Sequence, residues 1–269
     1  MPTLYIVGTP IGNLEDVTLR ALRVLKEVQL VAAEDTRKAG LFLRHYDISV
    51  PLTSLFEANE RRKMAEVLTV LAAGDVALIS EAGMPGISDP GYPLVREAIE
   101  RGFTVVPVPG PSAHTAALVV SGLPADRFMF LGFPPRKHPD RLFEKVAGAS
   151  ATLVLYEAPH RLRQTLEAML EVLGDRQIAL CRELTKKFEE VWRGSIAGAL
   201  GRLEERPPRG EYTLVVAGAS GEPERWAEAQ VRAAFVARMS EGLSRSQAAR
   251  NVAVASGWRR REIYALTTD

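Results

Sequence analysis

Short apolar runs alternate with longer amphipathic segments along most of this 269-residue chain. The runs with the length and composition of buried strands are Thr3–Val7, Gln29–Ala33, Asp75–Ser80, Phe103–Pro107, Phe128–Leu131, Thr152–Tyr156, Gln177–Cys181 and Tyr212–Ala217. Between them, Thr18–Val28, Glu57–Ala73 and His160–Leu173 repeat apolar residues at the spacing of a helix. A strand followed by a helix, repeated along the chain, predicts an α/β fold with a largely parallel sheet.

The same alternation places the domain boundaries. It pauses at Ser121–Asp126 and stops at Gly218–Pro223, a segment rich in Gly and Ser. We therefore predict an N-terminal α/β domain at residues 1–121, a second α/β domain at 122–220 and a small helical module at 221–269.

Within this predicted module, two short helical patterns flank a glycine. Ser244 is a good N-cap for the first helix and Gly257 suits the turn, while Arg259 and Arg260 open the second helix. The pattern is typical of a helix-turn-helix-like module. Its arginines indicate either a contact with RNA or only the solvated surface of a helical cap, and the sequence leaves both open.

Composition excludes several classes of protein. Lys plus Arg is 34 and Asp plus Glu is 33, so the net charge is +1 and a polybasic coat is excluded. The single cysteine, Cys181, excludes an intramolecular disulfide and a zinc site built from several thiolates. We expect a protein of the reducing cytoplasm, without a signal peptide, a membrane span or a metal.

Four loops of unusual composition directly follow predicted strands of the first domain, at residues 8–14, 34–37, 81–91 and 107–113. Ligands of parallel sheets bind beyond the carboxyl ends of the strands, so these loops share one edge. Gly and Pro make a stiff rim that offers backbone groups to a flat polar ligand, although each loop alone could be only a turn. Neither a phosphate-binding P-loop nor a Rossmann glycine motif is present, which argues against a nucleotide hydrolase and an ordinary dinucleotide site.

The motifs in these loops, and in loops of the second half, follow one another in a specific order. They are Pro10–Leu14, Ala33–Arg37, Ser80–Pro85, Ile87–Gly91, Pro109–Ala113, Tyr156–Arg161, Arg182–Lys186 and Gly210–Leu214. Together they resemble the ribosomal RNA small subunit methyltransferase I family of the tetrapyrrole-methylase superfamily. Glu81 and Met84 depart from it, because the family usually has Asp and Thr at these positions.

The resemblance implies two α/β domains with S-adenosylmethionine in the cleft between them. It also implies 2′-O-methylation of a cytidine ribose in the decoding region of 16S rRNA, with the small ribosomal subunit as partner, and a homodimer. The residues expected to bind the cofactor are Pro10, Ala82, Gly83, Met84, Ile87, Ser88, Asp89, Ser112, Ala113, Tyr156, Leu184, Tyr212 and Thr213.

A ribose hydroxyl is a weak acid, so a carboxylate that accepts its proton would accelerate the transfer. Glu157 is the first candidate, because it follows a predicted strand at the cleft. Asp35 and Glu81 are further candidates, as are Asp89 and Glu183, but Asp35 could equally cap the helix that follows it. Alignment of the reactants without a strong base remains an alternative.

Basic residues beside the cleft motifs are candidates for contact with RNA phosphates. They are Arg37, Arg161, Arg182 and Lys186, together with Arg259 and Arg260 of the module. Arg182 could instead form an internal ion pair with Glu183. Two other functions stay open on the sequence alone: methylation of a tetrapyrrole-type small molecule, and a non-catalytic nucleic-acid-binding regulator.

Overall fold

The computed structural model describes residues 2–56, 59–219, 226–258 and 260–266. The chain divides into two compact units, Met1–Gly218 and Ala219–Asp269. In its described residues the first unit contains two five-stranded sheets, so the boundary predicted near residue 121 falls between sheets of one unit. That boundary stays a prediction.

The first sheet is parallel throughout. Its strands are β1 (Thr3–Val7), β2 (Leu30–Ala33), β3 (Leu52–Ser54), β4 (Val76–Ile79) and β5 (Thr104–Val108), in the order β3-β2-β4-β1-β5. The helices of this half are α1 (Leu19–Glu27), α2 (Thr36–His45), α3 (Glu60–Ala73), α4 (Tyr92–Glu100) and α5 (Ala113–Ser121). The helix predicted from Glu57 is confirmed from Glu60 onward; Glu57 itself lies outside the described residues.

Helices cover the first sheet on both faces, and this explains why its strands read as continuous apolar runs. In β4 every residue is buried, and successive side chains enter opposite cores. Val76 and Leu78 pack in the core that contains residues of α3 and α4, whereas Ala77 and Ile79 pack in the core that contains residues of α1 and α2. The sequence of β4 therefore does not alternate between apolar and polar residues.

The second sheet is mixed. Its strands are β6 (Phe128–Phe130), β7 (Thr152–Glu157), β8 (Gln177–Arg182), β9 (Glu190–Ser195) and β10 (Tyr212–Val216), in the order β6-β7-β10-β8-β9. Only the β6–β7 pair is parallel. The prediction of a largely parallel sheet is thus correct for the first sheet and wrong for the second.

Helix α5 joins the two sheets. It follows β5 of the first sheet, yet its Ala117 and Leu118 are buried against Val154 and Ala179 of the second sheet. The remaining helices of the second half are α6 (Asp140–Val146), α7 (Leu162–Leu173) and α8 (Ile196–Glu205), which bury apolar residues in a core that includes Leu155 and Leu214.

The second unit is helical, as predicted. It contains α9 (Glu228–Ser240), α10 (Arg245–Ser256) and α11 (Arg260–Leu266), with a core that includes Val231, Phe235 and Ile263. The Ser244 side chain caps α10, and Gly257 ends it in the left-handed conformation at φ 68°, which confirms both predictions. Across the described residues, the structure has no helix of the length and apolar character that crossing a membrane requires.

Candidate active site

The loops after β1, β4 and β5 form one tightly packed frame. Thr9 and Gly83 exchange backbone hydrogen bonds of 2.9 and 3.0 Å, and the Gly8 amide donates to the Val108 carbonyl over 3.0 Å. A Cβ atom on Gly110 would lie 2.9 Å from backbone atoms of Gly8. Only glycine fits this approach, so the loops are held in position before any ligand binds.

The second sheet faces this frame through the ends of β7 and β10. Because these strands are antiparallel, Tyr212 pairs with Glu157 and Thr213 pairs with Tyr156. The start of β10 therefore lies beside the end of β7. The Tyr156 hydroxyl lies 3.2 Å from Nδ1 of His114 at the start of α5, which links the two halves of the site.

A cavity of about 590 Å³ opens between these loops. This volume is in the range of small-molecule sites. Its walls are formed by Ile11, Glu34, Glu81, Ala82, Gly83, Met84, Ile87, Ser88, Asp89, Ser112, Ala113, His114, Phe133, Tyr156, Glu157, Ala158, Pro159, His160, Glu211, Tyr212 and Thr213. Both halves of the first unit thus contribute residues to one cavity.

Nearly all residues expected to bind the cofactor line this cavity. Pro10 and Leu184 are the exceptions: Pro10 borders a neighbouring space of about 120 Å³, and Leu184 borders one of about 40 Å³. The residues that do line it are Ala82, Gly83, Met84, Ile87, Ser88, Asp89, Ser112, Ala113, Tyr156, Tyr212 and Thr213. The structure thus brings together residues that are far apart in the sequence, and their role in binding stays a proposal.

Three neighbouring carboxylates, among the five acidic residues that line the cavity, give it a negative wall. They belong to Glu34, Glu81 and Asp89. Burial raises the pKa of Glu34, and the neighbouring charges of Asp89 and Glu81 raise it further. Burial also raises the pKa of Asp89, although a hydrogen bond from Ser80 opposes the shift. Glu81 forms an ion pair with Lys38. Such a wall favours a ligand that carries positive charge.

Aromatic side chains form another part of the wall. The ring of Tyr156 lies 5.0 Å from Phe130 and 5.4 Å from Phe133, and the ring of His114 lies 4.7 Å from Phe130. Burial lowers the pKa of His114, which favours the neutral form of its ring. The sequence analysis missed Glu34, His114 and Phe133 as site residues. Glu34 and His114 lie within or beside a quoted motif, so their position was the available signal. Phe133 follows the predicted strand Phe128–Leu131, outside every quoted motif, and had no such signal.

The structure gives Glu157 a different role from the expected one. Its side chain is completely buried, and its carboxylate accepts hydrogen bonds from the Ala158 amide (2.8 Å) and the Thr165 hydroxyl. Nε of Arg161 lies 3.7 Å from the same carboxylate. With its oxygens held in this way, Glu157 is a poor candidate for proton acceptor.

Asp35 also has an internal role. Its carboxylate caps α2 by accepting from the Arg37 amide (2.8 Å) and is also bound by the Arg37 guanidinium. These hydrogen bonds lower its pKa to about 2, which makes it a weak base. It borders the small neighbouring space rather than the main cavity. The structure therefore favours the helix cap over catalysis.

Three basic residues expected at RNA have internal partners. Arg161 donates to the carbonyls of Pro134 and Pro135, and Arg182 donates to the Arg209 carbonyl and pairs with Glu190 rather than Glu183. Lys186 pairs with Glu183 and Glu211. None of the three lines the main cavity. Since their charges are already engaged by internal partners, these three are weaker candidates for phosphate contact than exposed basic residues.

Of the other basic candidates, two have exposed side chains and one lies outside the described residues. The side chain of Arg37 is 89% exposed beside its partner Asp35. Arg260 lies exposed at the start of α11 and donates to the Ser246 hydroxyl over 2.6 Å. Arg259 lies outside the described residues.

The described part of the chain shows no group of three or more His, Cys, Asp or Glu residues arranged to hold a metal ion. Cys181 is buried in the second sheet, and burial raises the pKa of its thiol to about 11. At neutral pH it is therefore a thiol, which is the inert form.

Comparison with known proteins decides the family. The family model described as Tetrapyrrole (Corrin/Porphyrin) Methylases matches residues 3–200. The chain belongs to the tetrapyrrole methylase family. The superfamily predicted from the loop motifs is thereby confirmed, and this tetrapyrrole methylase is a methyltransferase that uses S-adenosylmethionine.

Individual relatives of this tetrapyrrole methylase carry one name, "Ribosomal RNA small subunit methyltransferase I". The protein of Halalkalibacterium halodurans is 45% identical, covering 97% of this chain and 93% of its own length. The protein of Synechocystis sp. is 44% identical, covering 100% of this chain and 98% of its own length. That of Thermotoga maritima is 47% identical over 81% of this chain and 99% of its own length. About a fifth of this chain thus has no counterpart in the last relative.

Solved structures show the same fold. Uroporphyrin-III-C-methyltransferase from Thermus thermophilus is 26% identical with a TM-score of 0.58 and covers 81% of this chain and 94% of that chain. Diphthine synthase is 15% identical with a TM-score of 0.63, and the match covers 80% of this chain and 90% of that chain. The predicted fold class of two α/β halves and a helical module is confirmed.

The residues of the cavity fit S-adenosylmethionine. The sulfonium and the amino group of this cofactor are positively charged, and the wall formed by Glu34, Glu81 and Asp89 is negative. Ile11 and Met84 supply apolar surface, and Ala82 and Gly83 bring the backbone of the loop after β4 to the cavity wall. The chemistry of the walls therefore agrees with the cofactor of the family.

Proposed function

We propose that this methyltransferase methylates the ribose 2′-hydroxyl of a cytidine in the decoding region of 16S rRNA. That the substrate is ribosomal RNA is supported by one observation. Over nearly its whole length, the chain is similar to relatives named ribosomal RNA small subunit methyltransferase I. The cytidine and the 2′-oxygen are supported by the resemblance of the loop motifs. Ribosomal subunits are cytoplasmic, so we place the reaction in the cytoplasm.

When bound, S-adenosylmethionine supplies an electrophilic methyl group on a positively charged sulfur. A ribose oxygen that accepts this group loses its proton as the carbon–sulfur bond breaks. The chain has three tasks: to hold the reactants in line, to surround the positive charge with carboxylates, and to take up the proton.

Asp89 is the proton acceptor in this proposal. It lines both the main cavity and an open groove of about 970 Å³, and it shares this position with Glu34 and Ser88. A substrate that enters through the groove meets the cavity at these residues. Because burial raises the pKa of Asp89, its carboxylate is a stronger base than an exposed one.

The first prediction is a pH dependence. Asp89 accepts a proton only when ionised, so the single-turnover rate should rise with pH through its pKa. Since that pKa is raised above 3.8, the rise should lie at higher pH than for an ordinary aspartate. Asp89→Asn should lose roughly 10²–10⁴-fold in rate. The control is Asp126→Asn, whose side chain is 75% exposed. An unchanged rate in Asp89→Asn would exclude Asp89 as the base.

The second prediction concerns the helical unit. Within it, the guanidinium groups of Arg245 and Arg260 lie 5.9 and 5.5 Å from the ring centroid of Tyr264. They form a basic cluster, which we propose binds RNA phosphates together with Arg259. For Arg37, on the first unit, we propose a separate phosphate contact. The double variant Arg245→Ala/Arg260→Ala should weaken RNA binding and reduce the slope of log affinity against log salt by about 2.

Filter binding at several salt concentrations measures this slope, and calorimetry measures cofactor affinity, which should not change. Arg232→Ala is the control, because Arg232 pairs with Glu228 on the same helix α9. If the double variant binds RNA like the wild type, the cluster is only a solvated surface of the helical unit.

We also propose a homodimer. Four large apolar side chains between residues 119 and 129 are exposed: Val119, Val120, Phe128 and Met129, at 71%, 39%, 43% and 39%. A second copy of the chain that covers them would remove this surface from water. The third prediction is that Val119→Asp sediments as a monomer, whereas Leu19→Asp, at an 86% exposed position of α1, does not. A monomeric wild type would refute the dimer.

The proposed function is tested by transfer of labelled methyl groups from S-adenosylmethionine. Three acceptors are offered separately: purified unmethylated 16S rRNA, 30S subunits and a tetrapyrrole precursor. We expect label in 2′-O-methylcytidine of the RNA or the subunit. The tetrapyrrole is the second candidate, favoured by the 26% identity with a uroporphyrin-III-C-methyltransferase, and label there alone would overturn the proposal.

A further inference from the structure

Phe133 is an aromatic side chain that lines the cavity and yet is more than half exposed. Its relative exposure is 55%, while Tyr156, 5.4 Å away between ring centroids, is half-buried. The two ring planes meet at 56°, so Phe133 is not stacked on its neighbour. A flat apolar surface is therefore presented to whatever occupies the mouth of the cavity.

The loop that carries this ring is held firmly. The Gly132 carbonyl accepts a hydrogen bond of 3.0 Å from the Tyr156 amide. Arg161 Nη2 donates to the carbonyls of Pro134 and Pro135 over 2.7 and 3.0 Å. The loop is thus tied to the chain on both sides of Phe133.

The Arg161 guanidinium is itself fixed from behind. The fully buried Glu157 carboxylate lies 3.7 Å from its Nε, and the Arg161 side chain is only 15% exposed. Glu157, Arg161 and the two proline carbonyls form a continuous chain of polar contacts that ends at the Phe133 loop. A ring that is ordered before binding loses little entropy when a ligand stacks on it.

We propose that Phe133 stacks on an unpaired nucleobase of the RNA substrate, the base whose ribose enters the cavity. The idea rests on the proposed function, because it assigns a contact to that RNA. A ribose can reach Asp89 inside the cavity only if its nucleotide has left the base-paired stack. The exposed base then needs a new stacking partner, and aromatic side chains supply it for single-stranded RNA.

In this assignment Glu157 and Arg161 are positioning residues. They act through the loop and touch neither the methyl group nor the ribose. This gives a role to a buried ion pair that the chemistry of transfer does not use. It also places the base beside the residues that the second sheet and its loops contribute to the cavity.

The test compares Phe133→Leu with Phe133→Trp in the full-length protein, using 30S subunits that lack the methyl group. Phe133→Leu should lower kcat/KM for the subunits roughly 5- to 150-fold, mostly through KM, and leave the Kd for S-adenosylmethionine unchanged. Phe133→Trp should restore most of the loss, because its ring also stacks. Phe188→Leu is the control, since Phe188 is 63% exposed but does not line the cavity.

The conservative variant Arg161→Lys tests the positioning role. It keeps the charge beside Glu157 but loses the planar fork that reaches two carbonyls. Like Phe133→Leu, it should raise KM for the subunits. Its kcat and its Kd for the cofactor should stay close to those of the wild type. A uniform loss of kcat and cofactor binding would instead show a merely structural role.

The outcomes separate this inference from the proposed function. If the wild type methylates neither 16S rRNA nor 30S subunits, the proposed function fails. If the wild type is active and Phe133→Leu matches it, the stacking contact is refuted while the function stands. If Phe133→Leu weakens S-adenosylmethionine binding instead, the ring stacks on the cofactor's adenine and the inference is overturned.

Discussion

Gly110→Ala should weaken cofactor binding about 100-fold. A Cβ atom on Gly110 would lie 2.9 Å from three backbone atoms of Gly8, and backbone atoms cannot rotate out of the way as a flexible side chain can. The loops after β1 and β5 would have to separate; the first carries Ile11 and the second carries Ser112 and Ala113 to the cavity. A shift of about 1 Å at such a site lowers function by roughly 10²-fold.

Calorimetry with S-adenosylmethionine measures this loss, and a thermal melt shows whether the variant is folded. Gly201→Ala is the matched control, because a Cβ at Gly201 has no heavy atom within 4 Å and the residue lies in helix α8. That change should leave the cofactor Kd unchanged and stabilise the helix by about 1 kcal/mol. A folded Gly110→Ala protein with wild-type affinity would show that the glycine frame does not shape the cofactor site.

Glu157→Ala should unfold at much lower denaturant concentration than the wild type. Its carboxylate is fully buried and accepts from the Ala158 amide and the Thr165 hydroxyl, and its removal leaves Arg161 without its buried partner. Breaking one side of a buried pair costs about 3–5 kcal/mol. Below the unfolding transition, the single-turnover rate at saturating RNA should stay near that of the wild type, because Asp89 rather than Glu157 takes the proton.

Equilibrium unfolding in urea measures the first effect, and rapid-quench methyl transfer measures the second. Glu167→Ala is the control: its carboxylate lies 3.9 Å from Arg163 Nη1, its side chain is 57% exposed, and the change should cost less than about 1 kcal/mol. Normal stability combined with a lost rate in Glu157→Ala would return the role of base to Glu157.

Burial on both sides made the central strands easy to predict. The residues of β2 and β4 are all buried, so their sequences are continuous apolar runs. The two strands that the sequence analysis missed lie at sheet edges. Strand β3 has three residues, all half-buried, and β9 reads Glu-Val-Trp-Arg-Gly-Ser, without an apolar run. Edge strands bury little side-chain surface, so they give a weak signal.

The backbone of the site was predictable to a greater extent than its side chains. Gly83, Pro10 and Ser112 mark loops whose composition shows where the chain must turn at the carboxyl edge of the sheet. Composition does not show which neighbour faces inward. Glu34 lines the cavity, whereas the adjacent Asp35 caps α2.

Charged side chains were the hardest to assign. Arg161, Arg182 and Lys186 have the charge of an RNA-binding surface, but their partners lie 3 to 27 residues away in the sequence. The ion pairs that bind them depend on how the loops fold together. A basic residue next to a motif is therefore evidence of charge near the site, not of contact with a phosphate.

A crystal structure with S-adenosylmethionine bound tests the central claim most directly. We predict density for the cofactor within the cavity between the two sheets, with its positively charged groups toward Glu34, Glu81 and Asp89 and its adenine away from the Phe133 ring. Cofactor bound in another part of the chain, or a cavity that stays empty at saturating concentration, would contradict the account.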